Sequence, residues 1–567
     1  MSAAPARTAV VIGGGISGLA TASLLARDGY QVDLVEAREV LGGRAGSWEQ
    51  AGFRFDTGPS WYLMPEVFDH YFRLLGTSAA EQLDLRPLDP GYRVFFEGHE
   101  DPIDIRASAA RNADTFDAIE PGAGRRLAQY LDSAGRTYDM ALERFLYTSF
   151  TSALPFLSPR VATKAPQLLS LLTQPLDRFV ARRFRDPRLR QILGYPAVFL
   201  GSSPDRTPSM YHLMSALDLT GGVQYPQGGF ARLIDVMVDL AAQQGVRLHT
   251  ATRATRVLTA PGERRIGRAS LSQQERRDRR PRASGVEVQG ADGTRRTLSA
   301  DVVVATADLH HVETTMLPPE LQTYPESWWQ RRVSGPGAVL VLLGVRGKLP
   351  QLAHHSLLFT SDWRENFTAI RDGRVPSPAS TYVCRPSATD PSVAPAGHEN
   401  LFVLVPVPAD AGLGHGGVDG AGSAAVERIA DDAIAQIAAR VGVPDLADRV
   451  VVRRTIGPAD FTTDLGAWRG SMLGPAHTLG QSAFFRAGNA SRRIDALLYA
   501  GSSTIPGVGL PMCLISAELV AKRLRGDRSS SPLPEPPATA GSGGQGHRGT
   551  GGIGAGTAGA GSAGAGA

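Results

Sequence analysis

Lysine is almost missing from this chain: only Lys164, Lys348 and Lys522 contribute to its 59 basic residues in 567, and the rest are arginines spread along the whole length. Against 55 acids they leave a formal charge of +4, too small an imbalance to signal a nucleic-acid partner. Cysteine is equally scarce. Cys384 and Cys513, 129 positions apart, cannot by themselves form a disulfide framework or a four-ligand metal site, and a reducing, intracellular setting is the expectation. Unbroken apolar runs are missing too. Ala9 to Ala26 follows Arg7 much as a short secretory signal would, but three consecutive glycines interrupt it. Ala496 to Ala517 carries no charge over 22 residues, yet Gly501, Pro506, Gly507, Gly509 and Pro511 break any helix long enough to span a bilayer. No transmembrane span is predicted. What is present is a 42% hydrophobic share, enough for a sizeable core, which excludes wholesale disorder and a fibrous repeat.

The first 40 residues carry the clearest local pattern. An apolar strand (Ala9 to Ile12), a glycine turn, a helix to about Asp28 and a second strand (Val32 to Glu36) read as a βαβ unit opening a doubly wound sheet. From Met64 to Arg190 the pattern becomes helical, including Ala123 to Leu146 and Leu168 to Phe184. Strand and helix signals of the α/β type resume with a helix at Gly228 to Gln244 and strands at Val246 to Thr250, Thr255 to Leu258 and Asp301 to Ala305. Val339 to Val345, Ser356 to Thr360 and Leu401 to Val407 read as strands of another sheet, with a helix at Ala424 to Val441. A last strand, turn and helix occupy Ala496 to Arg525. Two stretches stand apart. Residues 261 to 283 hold eight arginines and three acids, and without their +5 the formal charge of +4 becomes −1. The Gly/Ala/Ser/Pro-rich tail lacks the apolar surface to offset its ordering entropy and is predicted to be disordered.

Chemistry concentrates at glycine turns. Gly13, Gly15 and Gly18 form a GxGxxG turn between strand and helix, Ala22 and Gly29 sit where close helix and strand packing needs small residues, and Glu36 ends the second strand 18 residues after Gly18. A helix N-terminus there suits a pyrophosphate and the acid suits a ribose diol. A second glycine pair follows, in Leu41-Gly42-Gly43-Arg44-Ala45 after Glu36-Ala37-Arg38, and then Phe53-Arg54-Phe55-Asp56-Thr57-Gly58-Pro59-Ser60. At these residues the chain resembles the flavoprotein superfamily of amine oxidases and phytoene desaturases, whose glycine doublet and arginine lie along the pyrophosphate of FAD. The resemblance implies FAD as cofactor, with Arg38, Gly43, Arg44, Gly58, Pro59 and Ser60 at its site and adenine against the backbone of Val257.

Leu498-Tyr499-Ala500-Gly501-Ser502-Ser503-Thr504-Ile505-Pro506-Gly507-Val508-Gly509-Leu510-Pro511-Met512 is similar to the closing signature of bacterial-type phytoene desaturases, differing from its commoner form at Ser502 and Ile505. That signature implies Gly501, Ser502, Gly509, Leu510, Pro511 and Met512 beside the flavin. Thr207-Pro208-Ser209-Met210-Tyr211-His212, Tyr225 to Phe230 and Ala307-Asp308-Leu309-His310-His311 resemble the same family's entry to and exit from the middle FAD segment. The expected fold is α/β: a discontinuous Rossmann-like FAD-binding domain (8–63, 226–310 and 491–525), a mixed-sheet substrate domain (311–490), a helical, membrane-facing substrate region (64–225) and a disordered tail (526–567).

The implied reaction is stepwise desaturation of an isoprenoid hydrocarbon such as phytoene toward neurosporene or lycopene, with quinone or oxygen as final electron acceptor. No acid–base or nucleophile motif stands out, so no catalytic residue is singled out. A substrate of this kind resides in the bilayer, and the expectation is a cytoplasmic enzyme docked peripherally on the inner membrane face through Phe145 to Arg183, where apolar residues are flanked by basic ones. The Arg-rich stretch is either a solvated excursion or an auxiliary lipid contact. Three alternatives remain open: a related carotenoid isomerase or a desaturase of another polyene, a flavin amine oxidase, and a flavin-binding scaffold. Many amine oxidases of the superfamily hold a water near the flavin with a lysine, and here only Lys348 lies in a comparable region. His310-His311 is not expected to bind metal, because adjacent side chains point apart. Gly412 to Gly422 reads as a flexible loop and Cys513 as a small buried thiol.

Overall fold

The computed structural model describes residues 6–148, 165–262 and 280–537. Its organising element is a five-stranded parallel sheet in the order Leu497–Tyr499, Val302–Ala305, Thr8–Ile12, Gln31–Val35, Arg247–His249, so segments from the start, middle and end of the chain share one sheet. Every residue from Ile16 to Leu25 of the helix Ile16–Arg27 is buried, because the helix is packed among the sheet and the helices Gly229–Gln243 and Leu510–Leu524. Such burial suits a helix that is apolar or small all round. The approach is close enough that a Cβ on Gly18 would lie 1.8 Å from the Gly13 carbonyl oxygen. Gly29 plays a different part from the close packing expected of it. A Cβ there would meet nothing within 4 Å, but its φ of +86° ends the helix, with the N–H of Gly29 on Ala26 O and that of Tyr30 on Leu25 O. The other face of the sheet is covered by three antiparallel strands, Thr252–Ala260, Arg282–Gly290 and Arg295–Ser299, packed with Trp329 and Tyr499.

A second sheet has seven strands in the order Val450–Ile456, Gly337–Arg346, His398–Val407, Thr381–Cys384, His355–Phe359, Tyr92–Phe96, Ile103–Ile105. Only the pair Tyr92–Phe96 and His355–Phe359 is parallel. Alternation along Gly337–Arg346 divides the side chains between its faces. Val339, Val341 and Leu343 pack under the helix Ala424–Val441, while Leu340 and Leu342 join Phe402 on the opposite side.

Several expectations are corrected. Residues 64–225 are not purely helical: Tyr92–Phe96 and Ile103–Ile105 complete the second sheet. The helix read over Leu168 to Phe184 is two helices, Ala165–Thr173 and Leu176–Ala181, separated at Pro175, which has no N–H to continue the first. The tail is not free from residue 526 onward. Leu533 is buried in the nucleotide-domain core and its N–H donates to Glu518, Lys522 Nζ donates to the carbonyls of Tyr147, Ser529 and Ser531, and Glu535 meets His70 at 2.9 Å. Among the described residues no helix is long and apolar enough to cross a membrane. Most of the Arg-rich stretch, most of the tail and the centre of the segment expected to face the membrane lie outside the described residues.

Candidate functional site

A cavity of about 730 Å³ opens at the carboxyl ends of the parallel strands and runs onto the face of the second sheet. Open α/β sheets bind ligands at this edge. Among the residues expected at the cofactor, Gly13, Gly15, Glu36, Gly43, Arg44, Gly58, Pro59, Ser60, Gly501, Ser502, Gly509, Leu510, Pro511 and Met512 line it. Gly18, Arg38 and Val257 do not. Gly18 instead permits the helix to touch the first strand, and the backbone N–H of Arg38 donates to Glu36 Oε1 at 2.9 Å. Val257 is buried behind the cavity with its N–H on Met316 O at 3.2 Å, while Arg253 and Ala254 reach the lining. A bulge between Ala254 and Arg256 adds a residue to that strand and displaces any count along it.

The residues present fit a flavin dinucleotide. Two helices, Ile16–Arg27 and Leu510–Leu524, begin at the cavity, each after a glycine that supplies no side-chain cap, so their first N–H groups and positive ends face it. Ser17 Oγ donates to the Cys513 carbonyl at 3.2 Å and ties the two starts together. Arg44 lies beside them, its Nη2 3.4 Å from Asp308 Oδ2 and its Nε buried with no hydrogen-bond partner, a cation with an unused donor of the kind a pyrophosphate accepts from. A Cβ on Gly58 would fall 1.8 Å from the Arg44 carbonyl oxygen, so that backbone is set by glycine. Glu36 Oε2 accepts the Gly14 N–H at 2.7 Å, which fixes the carboxylate at the end of the second strand, where a ribose diol can reach it.

Beyond this cradle the walls become apolar. Leu340, Phe402 and Leu404 come from the second sheet, Tyr195, Phe199, Met210 and Met214 from the helical region, and Phe461, Met472 and Leu473 from the segment that follows the sheet. At one end stand Leu479, Phe484 and Phe485, which are 43%, 50% and 62% exposed. Polar groups in this arm are occupied by one another. The Tyr382 hydroxyl meets Ser60 Oγ at 2.6 Å, Trp61 Nε1 at 3.1 Å and His355 Nδ1 at 2.7 Å. His477 Nε2 accepts the Val508 N–H at 3.2 Å and its Nδ1 meets the Tyr211 hydroxyl at 3.0 Å. Burial, with the Arg486 guanidinium nearby, holds the His477 imidazole well below its ordinary range and therefore neutral, so it positions the closing turn.

Apart from Ser60, Met210 and Tyr211, which fall in segments singled out above, these arm residues went unnoticed in the sequence because no local motif marks them. Alternation in Gly337–Arg346 reveals two faces but not which one meets a ligand. The other features noted in the sequence separate cleanly. Lys348 is 67% exposed, 3.5 Å from Glu399, and no lysine occurs among the described residues lining the cavity. His310 turns to Glu326 at 2.8 Å, whereas His311 lines the cavity. The Gly412 to Gly422 loop does not reach the cavity and is held by Asp460, which accepts the N–H of Gly416 at 2.7 Å. Cys513 lines the cavity as a buried thiol whose pKa is pushed up by burial.

The family model of flavin containing amine oxidoreductases matches residues 16–525. Over 515 residues the chain is 39% identical to a carotenoid 3,4-desaturase of Haloarcula japonica, covering 91% of this chain and 97% of that protein. It is 32% identical over 519 residues to a zeta-carotene-forming phytoene desaturase of Myxococcus xanthus, covering 91% and 94% respectively. Among solved structures, a putrescine oxidase variant superposes with a TM-score of 0.57 at 14% identity, covering 92% of this chain and 99% of the other. A cyclohexylamine oxidase of Brevibacterium oxydans gives 0.55 at 16%, covering 92% and 100%. Identities this low bear on the fold alone.

Proposed function

The chain belongs to the flavin containing amine oxidoreductase family and is an FAD-dependent oxidoreductase, and from that premise we propose that it desaturates carotenoids, dehydrogenating phytoene stepwise toward neurosporene or lycopene. The observation that carries this reading is the continuity of the FAD cradle with an apolar arm that contains no lysine among its described residues. An apolar arm offers a hydrocarbon a dry channel and leaves the charged group of an amine poorly solvated along most of its walls. Bound FAD supplies the hydride acceptor. The protein's own share is to hold a saturated carbon–carbon bond, next to an existing double bond, at the end of the arm nearest Gly501 and Pro511. One carbon then loses a hydride and its neighbour a proton, and the two electrons pass on to a quinone or oxygen. His477 is neutral and tied and Tyr382 is engaged by three partners, so neither of these two stands free as a dedicated base, in keeping with a cofactor that carries the difficult step.

The substrate enters from a bilayer through the end rimmed by Leu479, Phe484 and Phe485, with the protein docked on the cytoplasmic membrane face without crossing it. Exposed aromatic and aliphatic side chains at a cavity mouth favour the interfacial region of a membrane. A second reading, 3,4-desaturation of a carotenoid already carrying a conjugated chain, is favoured by the 39% identical relative bearing that name.

Holoprotein incubated with liposomes containing phytoene, or a carotenoid with a longer conjugated system, separates these readings by product chromatography. Polyene bands arising from phytoene support the first and bands arising only from the conjugated substrate support the second. Peroxide formed from amines with no change in either hydrocarbon refutes both. Charging the rim by F484D/F485D is expected to abolish co-flotation with liposomes; undiminished flotation refutes this mouth as the docking surface.

A further inference from the structure

We propose that His354, His355 and Cys384 form a binding site for one soft transition-metal ion, zinc(II) or copper(I), behind the wall of the substrate cavity. Strand register creates the site. His355 and Cys384 are directly opposed in the antiparallel pair His355–Phe359 and Thr381–Cys384, so their side chains leave the same face, and His354 precedes the strand. One ring nitrogen of each histidine and the Cys384 Sγ all lie within 4.8 Å of one another. The three residues are 4%, 0% and 1% exposed, and Nε2 of both rings is buried with no hydrogen-bond partner. Buried imidazole nitrogens rarely stay unsatisfied.

The opposite nitrogens are both engaged, His354 Nδ1 with Thr389 Oγ1 at 2.8 Å and His355 Nδ1 with the Tyr382 hydroxyl at 2.7 Å. That is how metal-binding imidazoles are held: one nitrogen takes the ion and the other is fixed by a hydrogen bond. Two imidazoles and a thiolate suit a soft or borderline cation and disfavour magnesium and calcium, which take oxygen ligands. Metal–nitrogen and metal–sulfur bonds of about 2.0 and 2.3 Å place such ligand atoms roughly 3.5 Å apart, so binding draws the three together by on the order of 1 Å. No other His, Cys, Asp or Glu among the described residues belongs to the group, so the ion is three-coordinate or completes its shell with a hydroxyl or water. Arg385, next in the chain, places a positive charge near His354 but pairs with Glu399 at 3.1 Å, and Asp390 offsets part of that charge.

The ion's role is to stiffen the cavity wall. The His355 ring stacks on Trp61, with centroids 4.8 Å apart at 19°, and the same ring holds Tyr382; both neighbours line the cavity.

Metal-stripped, FAD-loaded protein is titrated with zinc(II), or anaerobically with copper(I), and bound metal is counted by elemental mass spectrometry. The expected result is one equivalent of one of these ions, with a sulfur and two nitrogens in its shell by X-ray absorption and a rise in melting temperature. C384S and H355Q should each weaken binding at least about 10-fold while retaining flavin absorbance, whereas C513S should keep the full equivalent. The proposal is overturned if the wild-type protein takes up neither ion at micromolar free concentration, if its absorption spectrum lacks the sulfur neighbour, or if C384S binds as the wild type does. The spectrum of the wild-type protein decides the matter even where a variant does not fold.

Discussion

Replacing Arg44 by methionine removes a cation at the cavity whose Nε is buried without a partner, and keeps most of the side-chain volume. Two effects act in the same direction in the variant. A charge-assisted hydrogen bond to a phosphate is worth about 1.5–3 kcal/mol, which converts to roughly a 10- to 150-fold weaker Kd for FAD. In addition, Arg44 neutralises Asp308 at 3.4 Å, whose side chain is only 1% exposed, so its removal leaves a buried carboxylate facing the incoming pyrophosphate and adds to the loss. Asp308 retains the His310 N–H at 3.0 Å, which limits that second penalty. D308N provides the control, because it releases Arg44 from its ion pair without removing the cation. Its FAD affinity should therefore equal or exceed that of the wild type, and the R44M/D308N double variant should bind more tightly than R44M alone. Titration of apoprotein with FAD, followed by flavin fluorescence, measures all four forms. An R44M affinity equal to that of the wild type would refute Arg44 as a phosphate ligand, and a D308N loss as large as that of R44M would show the ion pair, not the phosphate contact, to be what matters.

The two glycines nearest the first helix should fail in different ways. A methyl group at Gly18 would lie 1.8 Å from a backbone oxygen, so G18A should lose about 1–3 kcal/mol of stability, whereas one at Gly15 meets no protein atom closer than 3.8 Å, so G15A should keep its melting temperature and lose FAD affinity; equal melting temperatures for the two variants would refute the packing role of Gly18. Asp218 is buried beneath the Tyr92 hydroxyl at 2.9 Å, and burial pushes its carboxyl from 3.8 up to about 7. The folded protein thus holds a proton that the unfolded chain has released, so stability falls as pH rises from about 4 to about 7, by about 4 kcal/mol at most from the distance between those values. Urea unfolding across this range should show D218N with a flatter dependence, and an unchanged slope would count against the raised carboxyl.

Local features were legible without any structure. The strand, glycine turn and helix around Gly13 to Gly18 are written in consecutive residues, as are the closing turn Gly501 to Met512 and the helix Ala424–Val441, whose bounds agree with the pattern. Turns and helix starts depend on the φ, ψ and hydrogen bonds of a few neighbours, so a short window contains what is needed. Register along a strand is less secure. Ala254 reaches the cavity and Val257 does not, and the bulge between Ala254 and Arg256 turns both side chains into one core, a placement that an alternating pattern does not announce. The order of residues 526–537, where a free tail was expected, has a similar origin. Leu533 has little local context for order, and its burial depends on Glu518 and Lys522 of the preceding helix arriving where they can hold its backbone.

By itself, then, the sequence determined the kind of cofactor and the discontinuous domain that holds it, because backbone approach to a dinucleotide requires glycine at specific points of a strand-to-helix turn. It also determined that lysine would be nearly absent from any site. Only the tertiary structure decided that Arg93 would pair with Ser356, that Leu340, Phe402 and Leu404 would line one wall with Met210, and that His355 would stand opposite Cys384. Those choices belong to sheet pairing between segments tens to hundreds of residues apart. Many partners satisfy the same alternation of apolar and polar residues, and the free energy of the whole packed core selects among them.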